Sequence, residues 1–329
     1  MPVAAITDYT FADVDLERAA LEQAGCRLDA RRCTDTAELI DLTAEADVVI
    51  TQFARLDATV IGAMKRARVI ARYGIGVDNV DLDAARAKGI PVCNVPDYCI
   101  DEVADHTLAM VLDLTRRVAQ TSDGVHAGAW KLPVAIEQMR SLRDLTVGIV
   151  GFGRIGREVA RRLAAFKPTI LIYDPVVRPA DISAAGFVPV RREELLQSSD
   201  LITLHCPSTA STKRMINADS LAACKRGVLL VNLARGDLID TAALVEALGS
   251  GQVGAAALDV CDPEPIPRDH PLLAMPQVVI TPHVASVSPR AVKALRDGVV
   301  ASALRALRRE PQLNIVNGVP ATAAAAAKT

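Results

Sequence analysis

Three residues far apart in the chain carry side chains that acid–base chemistry uses: Arg235, Glu264 and His283. An imidazole exchanges a proton near neutral pH. A carboxylate beside it fixes its tautomer and favours the imidazolium, and a guanidinium presents a fork that matches a carboxylate. Each of the three follows or neighbours a short apolar run that reads as a strand. Residues 227–232 lead into Leu233-Ala234-Arg235-Gly236, residues 254–258 into Asp259, and residues 278–281 into Pro282-His283. Taken singly, each also has an ordinary reading. His283 could be a satisfied loop histidine, Arg235 a cap on the preceding strand end, and Glu264, between Pro263 and Pro265, a solvated turn carboxylate. His106, His126 and His205 compete for the histidine role, and of these only His205 follows a strand end.

The element that would give such a set a partner lies at 146–174. Residues 147–150 are apolar and mostly β-branched, Gly151, Gly153 and Gly156 follow in G-x-G-x-x-G spacing, and residues 155–166 return apolar side chains at helical spacing. A second apolar run, 170–173, ends in Asp174. Strand, tight turn, helix, strand and terminal acid, roughly 20 residues on, make the unit that holds a dinucleotide. Gly151 permits the turn, Gly153 lets a pyrophosphate reach the backbone, and Gly156 lets helix and strand pack closely. The pyrophosphate then sits at a helix N-terminus, where free N–H groups favour an anion. Asp174 is placed to bind a ribose 2′-OH. Alone the glycine spacing is weak evidence; its context is what makes the dinucleotide reading specific.

The remaining elements are those that position these groups. The chain has 329 residues, enough for about two domains. Half of them are hydrophobic and only 3% aromatic, so the core is Ala, Val, Leu and Ile, as suits parallel sheets covered by helices. Four strands are expected in the first hundred residues (3–6, 47–51, 69–73 and 90–94), with helices at 16–24, 59–65 and 82–88. Gly74-Ile75-Gly76, just past the third of these strands, is a candidate anion site or a plain turn. A long helix is expected from 101 to about 119, then a less regular arm at 121–145 that either lies on another subunit or is a surface connection. Six strands from Val147 onward give a doubly wound sheet. Residues 288–309 read as a closing helix, and 321–329 as an Ala-rich tail without assigned function.

Net charge is −2 with no basic run, which argues against nucleic acid and acidic membrane as partners. No apolar run reaches about 18 residues and no secretory leader is visible, so the expected location is cytoplasmic. The seven cysteines show no C-x-x-C pair, so reduced core thiols are expected and no metal site.

With those residues in view, the chain resembles the D-isomer-specific 2-hydroxyacid dehydrogenases. The resemblance rests on the run from Arg72 through Tyr73-Gly74-Ile75-Gly76-Val77-Asp78-Asn79-Val80 to Asp81. It also rests on 151–156, Asn232-Leu233-Ala234-Arg235-Gly236, Leu258-Asp259-Val260, Asp262-Pro263-Glu264-Pro265 and Thr281-Pro282-His283. It implies that Arg235, Glu264 and His283 are the catalytic set. It also implies an α/β chain of two doubly wound parallel-sheet domains, a Rossmann nucleotide domain inserted into a smaller flavodoxin-like substrate domain. The expected boundaries are 1–100 and 287–320 for the substrate domain and 101–286 for the nucleotide domain. NAD is the implied cofactor. The residues it would meet are Thr107, Gly151, Gly153, Arg154, Ile155, Gly156, Asp174, His205, Cys206, Pro207, Thr212, Leu233, Ala234, Asp259 and Ser286. Substrate would meet Gly74, Ile75, Gly76, Phe53 and Arg235, and a homodimer would form through the nucleotide domain.

Asn94-Val95-Pro96 and Asp101-Glu102-Val103-Ala104-Asp105-His106-Thr107 resemble the branch that holds the C-terminal-binding-protein corepressors and their bacterial relatives. The expected activity is NADH-dependent reduction of a 2-oxo acid to the D-2-hydroxy acid. The alternative is an NAD(H)-sensing interaction protein whose catalysis is incidental. Thr51-Gln52-Phe53-Ala54 holds no cation where a phosphorylated substrate would want one, Arg55 is displaced, and Ser286 leaves room. An unphosphorylated substrate is therefore expected.

Overall fold

The structure is a computed structural model and describes residues 1–321, so most of the Ala-rich stretch lies outside the described residues. The chain divides into two compact units, Met1–Tyr98 with the segment from Ser288 onward, and Cys99–Val287.

The first unit contains strands β1 (Val3–Ile6), β2 (Arg27–Ala30), β3 (Val48–Thr51), β4 (Ile70–Arg72) and β5 (Val92–Cys93). Its helices are α1 (Asp15–Gln23), α2 (Thr36–Thr43), α3 (Ala58–Ala63) and α4 (Leu82–Ala87), together with the C-terminal α12 (Pro289–Leu307). The strands are parallel in the order β2-β1-β3-β4-β5, the flavodoxin-like order. One face of the sheet packs Leu21 of α1 and Leu295, Val299 and Ala303 of α12. The other packs Leu39 and Leu42 of α2, Val60 and Ile61 of α3 and Ala85 of α4. The return of α12 to this sheet is fixed by a buried charge. Glu17, fully buried on α1, accepts from Arg296 Nη2 at 2.7 Å, Arg296 Nε at 2.9 Å and the Tyr73 hydroxyl at 3.0 Å. A buried carboxylate needs such partners, and removing one leaves an uncompensated charge.

The second unit contains β6 (Thr146–Val150), β7 (Thr169–Tyr173), β8 (Val188–Pro189), β9 (Leu201–Leu204), β10 (Val228–Asn232), β11 (Val253–Leu258) and β12 (Val278–Ile280). Its helices are α5 (Ile100–Arg116), α6 (Val118–His126), α7 (Arg154–Leu163), α8 (Pro179–Ala184), α9 (Arg192–Ser198), α10 (Ala218–Ala222) and α11 (Thr241–Ser250). All seven strands are parallel, ordered β8-β7-β6-β9-β10-β11-β12. This is the Rossmann order extended by one strand, with its switch point between β6 and β9. Helices α9, α10 and α11 cover one face through Leu195, Leu196, Leu221, Leu244 and Leu248. Helices α5 and α7 pack on each other, and α5 packs on β10 and β11.

Four expectations change. The first sheet gains β2, and the second gains β8, so it has seven strands rather than six. The long helix stops at Arg116, because Arg117 takes a left-handed conformation (φ 54°). The arm opens as a second helix, α6, followed by single 3₁₀ turns at Ile136–Gln138 and Leu142–Asp144. Among the described residues no helix is long and apolar enough to cross a membrane.

Candidate active site

The glycine turn is set by backbone proximity. Gly151 has φ 96°, and a Cβ there would stand 2.6 Å from the His205 carbonyl oxygen. A Cβ on Gly156 would stand 2.1 Å from the Gly151 carbonyl oxygen. Both contacts are with main chain, which cannot rotate away. Around Gly153, the N-cap of α7, a Cβ would meet nothing within 4 Å, and no side chain caps the helix. The first turn of α7 therefore has no side-chain cap and room beside Gly153, as an anion at a helix N-terminus requires. Arg154, exposed, and Ile155 open that helix.

Asp174 stands at the end of β7. Its Oδ2 accepts from the Phe152 amide at 2.7 Å, and its Oδ1 from the Val176 and Val177 amides at 2.8 and 2.9 Å. Burial acts to raise its pKa, but these amide hydrogen bonds outweigh it and hold the carboxyl below the usual range. Pro175 withholds an amide, as the sequence indicates, yet the next two residues supply theirs. Arg178, which could have offset the acid, is bound to Asp181 at 2.7 and 2.9 Å.

His205 follows β9. The residue keeps partial exposure, but its ring is enclosed and bonded to Thr203 Oγ1 at 2.9 Å, and burial pushes its pKa down to about 3. It is a neutral imidazole, unlike a proton donor. Burial likewise pushes the Cys206 thiol up to about 11. Thr212 spends its hydroxyl on the Pro207 carbonyl at 2.6 Å, which closes the loop after β9. Thr107 is fully buried and its hydroxyl donates to Val103 O at 2.7 Å, so that hydroxyl is committed within α5.

Arg235, Glu264 and His283 come together at the ends of β10, β11 and β12. The buried Asn232 shapes the first loop. Its amide nitrogen donates to Arg235 O at 2.8 Å and its oxygen accepts from the Ala234 amide at 3.0 Å. This fixes Leu233, Ala234 and Arg235 in an open turn. At Gly236 a Cβ would stand 2.0 Å from the Cys261 carbonyl oxygen, so at this point the β10 and β11 loops meet main chain to main chain. Glu264 Oε1 lies 2.6 Å from His283 Nδ1, and Oε2 accepts from the Cys261 amide at 3.3 Å. Burial acts to raise the Glu264 pKa. The His283 hydrogen bond and charge, the Cys261 amide and the Arg235 field outweigh it, and the net direction is down. With Nδ1 held by the acid, proton exchange with a substrate falls to Nε2.

Asp259 ends β11 and is 1% exposed. Its oxygens accept from the Thr281 hydroxyl at 2.5 Å and the Val284 and Ala285 amides at 2.9 Å. Ser286, partly exposed, follows in the same loop.

On the first unit, Gly74 donates its amide to Arg72 O at 2.9 Å, a three-residue turn, which leaves Ile75 and Gly76 to offer amides to an anion. Asn94 Nδ2 donates to Ile75 O at 2.7 Å and holds that turn. Phe53 is half exposed, and its amide donates to Asp8 Oδ2 at 2.6 Å.

Two residues named in the sequence acquire partners there that the sequence does not announce. Arg72 is almost buried, its guanidinium 5.8 Å over the Phe53 ring and in the space a Cβ on Gly74 would need. The end of β3 lacks a cation, as read from sequence, but β4 supplies one. Arg72 opens the motif that ends at Asp81, and that position was the available signal. The second is His106, whose Nε2 lies 3.1 Å from Thr281 Oγ1. Among the described residues no cluster of three or more His, Cys, Asp or Glu could hold a metal ion.

Residues 108–285 match the family model for the D-isomer specific 2-hydroxyacid dehydrogenase, NAD binding domain. The chain is 39% identical over 284 residues to a D-3-phosphoglycerate dehydrogenase of Mycobacterium leprae, covering 86% of this chain but 53% of that one. It therefore spans about half the length of the curated phosphoglycerate dehydrogenases it matches. It is 39% identical over 266 residues to a glyoxylate reductase of Korarchaeum cryptofilum, covering 80% of each. Among solved structures, the TT0316 protein of Thermus thermophilus superposes with a TM-score of 0.85 at 36% identity, over 95% of this chain and 99% of that one.

Proposed function

Because this chain belongs to the D-isomer specific 2-hydroxyacid dehydrogenase family, we propose that it reduces an unphosphorylated 2-oxo acid to the D-2-hydroxy acid. The observation that carries the reading is the 2.6 Å contact between Glu264 and His283 beside the Arg235 turn. The residues at the nucleotide edge fit NAD: an open Gly153, uncapped α7 amides and a fixed carboxylate at Asp174. Bound as NADH, the cofactor supplies the hydride. Glu264 keeps the His283 ring oriented through its Nδ1. His283 gives its Nε2 proton to the ketone oxygen as charge builds there. Arg235 polarises that oxygen and binds the substrate carboxylate. The nicotinamide amide is assigned to Asp259, and Cys206, Pro207, Leu233, Ala234 and Ser286 are assigned to the walls of the cofactor site.

On the first unit, taken by itself, the amides of Ile75 and Gly76 are assigned to a carboxylate and Phe53 to an organic side chain. Arg72 lies against that turn, so its charge suits the carboxylate there, and the unphosphorylated reading rests on the absence of a second cation at the end of β3. Within the family, the Asn94-Val95-Pro96 and 101–107 segments are what supports a reading near the corepressor-like branch. The complete Arg–Glu–His set favours turnover over pure NAD(H) sensing. A homodimer is assigned to the arm of the second unit, where Val118, Trp130, Leu132 and Ile136 are 50–91% exposed.

The test is a panel of 2-oxo acids at matched NADH: glyoxylate, pyruvate, hydroxypyruvate, branched and aromatic members, and 3-phosphohydroxypyruvate. A highest kcat/KM for the phosphorylated compound would overturn the substrate class. Absence of NADH oxidation with every member would overturn the reductase and leave the sensor.

A further inference from the structure

We propose that His106 is a positioning residue for the loop that carries His283, acting through Thr281 and Asp259. The proposal rests on the acid–base role given to His283 above. His283 has φ 54°, a left-handed conformation that a non-glycine residue seldom adopts unless its surroundings impose it. Here Asp259 is the main anchor, beside the Thr281 carbonyl, which also accepts from the His283 amide at 3.0 Å, and Glu264 at the ring. The Asp259 carbonyl accepts from the His283 amide at 2.8 Å, and the Asp259 carboxylate accepts from the next two amides, Val284 and Ala285, both at 2.9 Å. Three consecutive amides thus converge on Asp259, one on its carbonyl and two on its carboxylate, so the path of the loop that presents the His283 ring to Glu264 depends on where the Asp259 carboxylate points.

That carboxylate is oriented in turn by Thr281. A carboxylate only accepts, so the Thr281 hydroxyl donates its single hydrogen to Asp259 Oδ1, at 2.5 Å. The hydroxyl oxygen is then an acceptor toward His106 Nε2, 3.1 Å away. Nε2 must carry a hydrogen, which fixes the tautomer of His106. The same nitrogen lies 3.9 Å from Asp259 Oδ1. His106 belongs to α5, which packs against α7, β10 and β11, so the chain of bonds ties the loop to a rigid helix. Without the Nε2 hydrogen, the Thr281 hydroxyl loses the donor that orients it. Its hold on Asp259 slackens and the three amides follow. The ring of His283 then samples orientations in which its Nε2 misses the ketone oxygen, while substrate binding elsewhere is untouched.

The experiment compares His106→Leu, His106→Gln, Thr281→Val, His283→Ala and the His106→Leu/Thr281→Val double variant. Steady-state kinetics are run with the best 2-oxo acid, and amide hydrogen exchange of peptides spanning 281–287 is measured without cofactor. Glutamine carries an N–H donor of similar reach and should restore what leucine removes. Loss of one such hydrogen bond should lower kcat about tenfold in His106→Leu, with the substrate KM changed by about twofold or less. Exchange in the 283–285 amides should quicken in His106→Leu and Thr281→Val and return toward the parent in His106→Gln. The double variant should be no worse than Thr281→Val alone. Additive losses, a glutamine variant as poor as leucine, or parental kcat and exchange in His106→Leu would each overturn the proposal. If His106→Leu does not fold, Thr281→Val and His106→Gln decide it by the same two readouts. His283→Ala separates the two readings: full turnover there removes the acid–base role, and the exchange data still decide whether His106 holds the loop.

Discussion

Replacing Gly153 and Gly156 one at a time by alanine should give two different defects, although the residues sit in the same turn. At Gly156 the new Cβ would lie 2.1 Å from the Gly151 carbonyl oxygen, so main chain must move. Overpacking of this kind costs about 1–3 kcal/mol. Alanine in a helix interior returns up to about 1 kcal/mol relative to glycine. Because the opposing atom is backbone, the cost lies in the upper part of its range and the net loss is about 1–2 kcal/mol. In a unit of this size that is a fall in Tm of about 2–8 °C. The α7 N-terminus moves with it, so NADH affinity also drops. At Gly153 the Cβ meets nothing within 4 Å and φ is −73°, which alanine tolerates. Alanine at an N-cap costs about 1 kcal/mol or less relative to glycine. Tm should therefore shift by about 4 °C at most. The same methyl occupies the approach assigned to the pyrophosphate, and NADH should bind at least about tenfold more weakly, about 1.4 kcal/mol. Thermal melts and a titration of NADH fluorescence read the two quantities separately. Gly153→Ala with parental affinity, or Gly156→Ala with parental stability, would refute the reasoning.

His283→Ala should lower kcat by about two to four orders of magnitude while NADH still binds, because only proton transfer is lost; steady-state rates and an NADH titration check both halves. Glu264 has a carboxyl held below its ordinary range in the folded chain. The stability it contributes is therefore full above its unfolded value of about 4.3 and is lost as pH falls through the lower folded value. Tm of the parent should decline over that acid window more steeply than Tm of Glu264→Gln, and parallel curves would contradict the assignment. Asp174, fixed by three amides, should repel a 2′-phosphate and favour NAD over NADP. Asp174→Ala should narrow the ratio of kcat/KM values, and equal use of both cofactors by the parent would remove that role.

The strand ends were legible because parallel strands buried on both faces are continuous apolar runs, and polar residues stand out where they stop. β9 and β10 are buried at every position. The two strands that escaped notice are sheet edges. β2 alternates Arg27 and Asp29 with Leu28 and Ala30 and buries only Leu28, and β8 is two residues ending in Pro189. Helix α6 buries no residue, so it has no apolar period to read. That Arg235, Glu264 and His283 lie beyond neighbouring strand ends was legible from the residue types where the apolar runs stop. His106 was not, because its neighbour Thr107 carries the buried face of α5, and which way the adjacent ring turns depends on Thr281, 175 positions later. Arg72 escaped for a similar reason: its use depends on a glycine two positions on that leaves room for its guanidinium.

The contact at Gly236 has a consequence for how this site can change. Arg235 and Glu264 sit on loops that meet backbone to backbone, with no side chain between them to lengthen or trim. Their spacing is therefore set by main chain, and the point substitution that reaches it is at Gly236 itself, where any Cβ would force the two loops apart. A directed-evolution campaign built on codon changes elsewhere would leave the distance between the Arg235 charge and the Glu264–His283 pair constant. Altering that distance without the strain of a side chain at Gly236 takes an insertion or a deletion in one of the two loops, so libraries of variable loop length are the ones that would search new geometries.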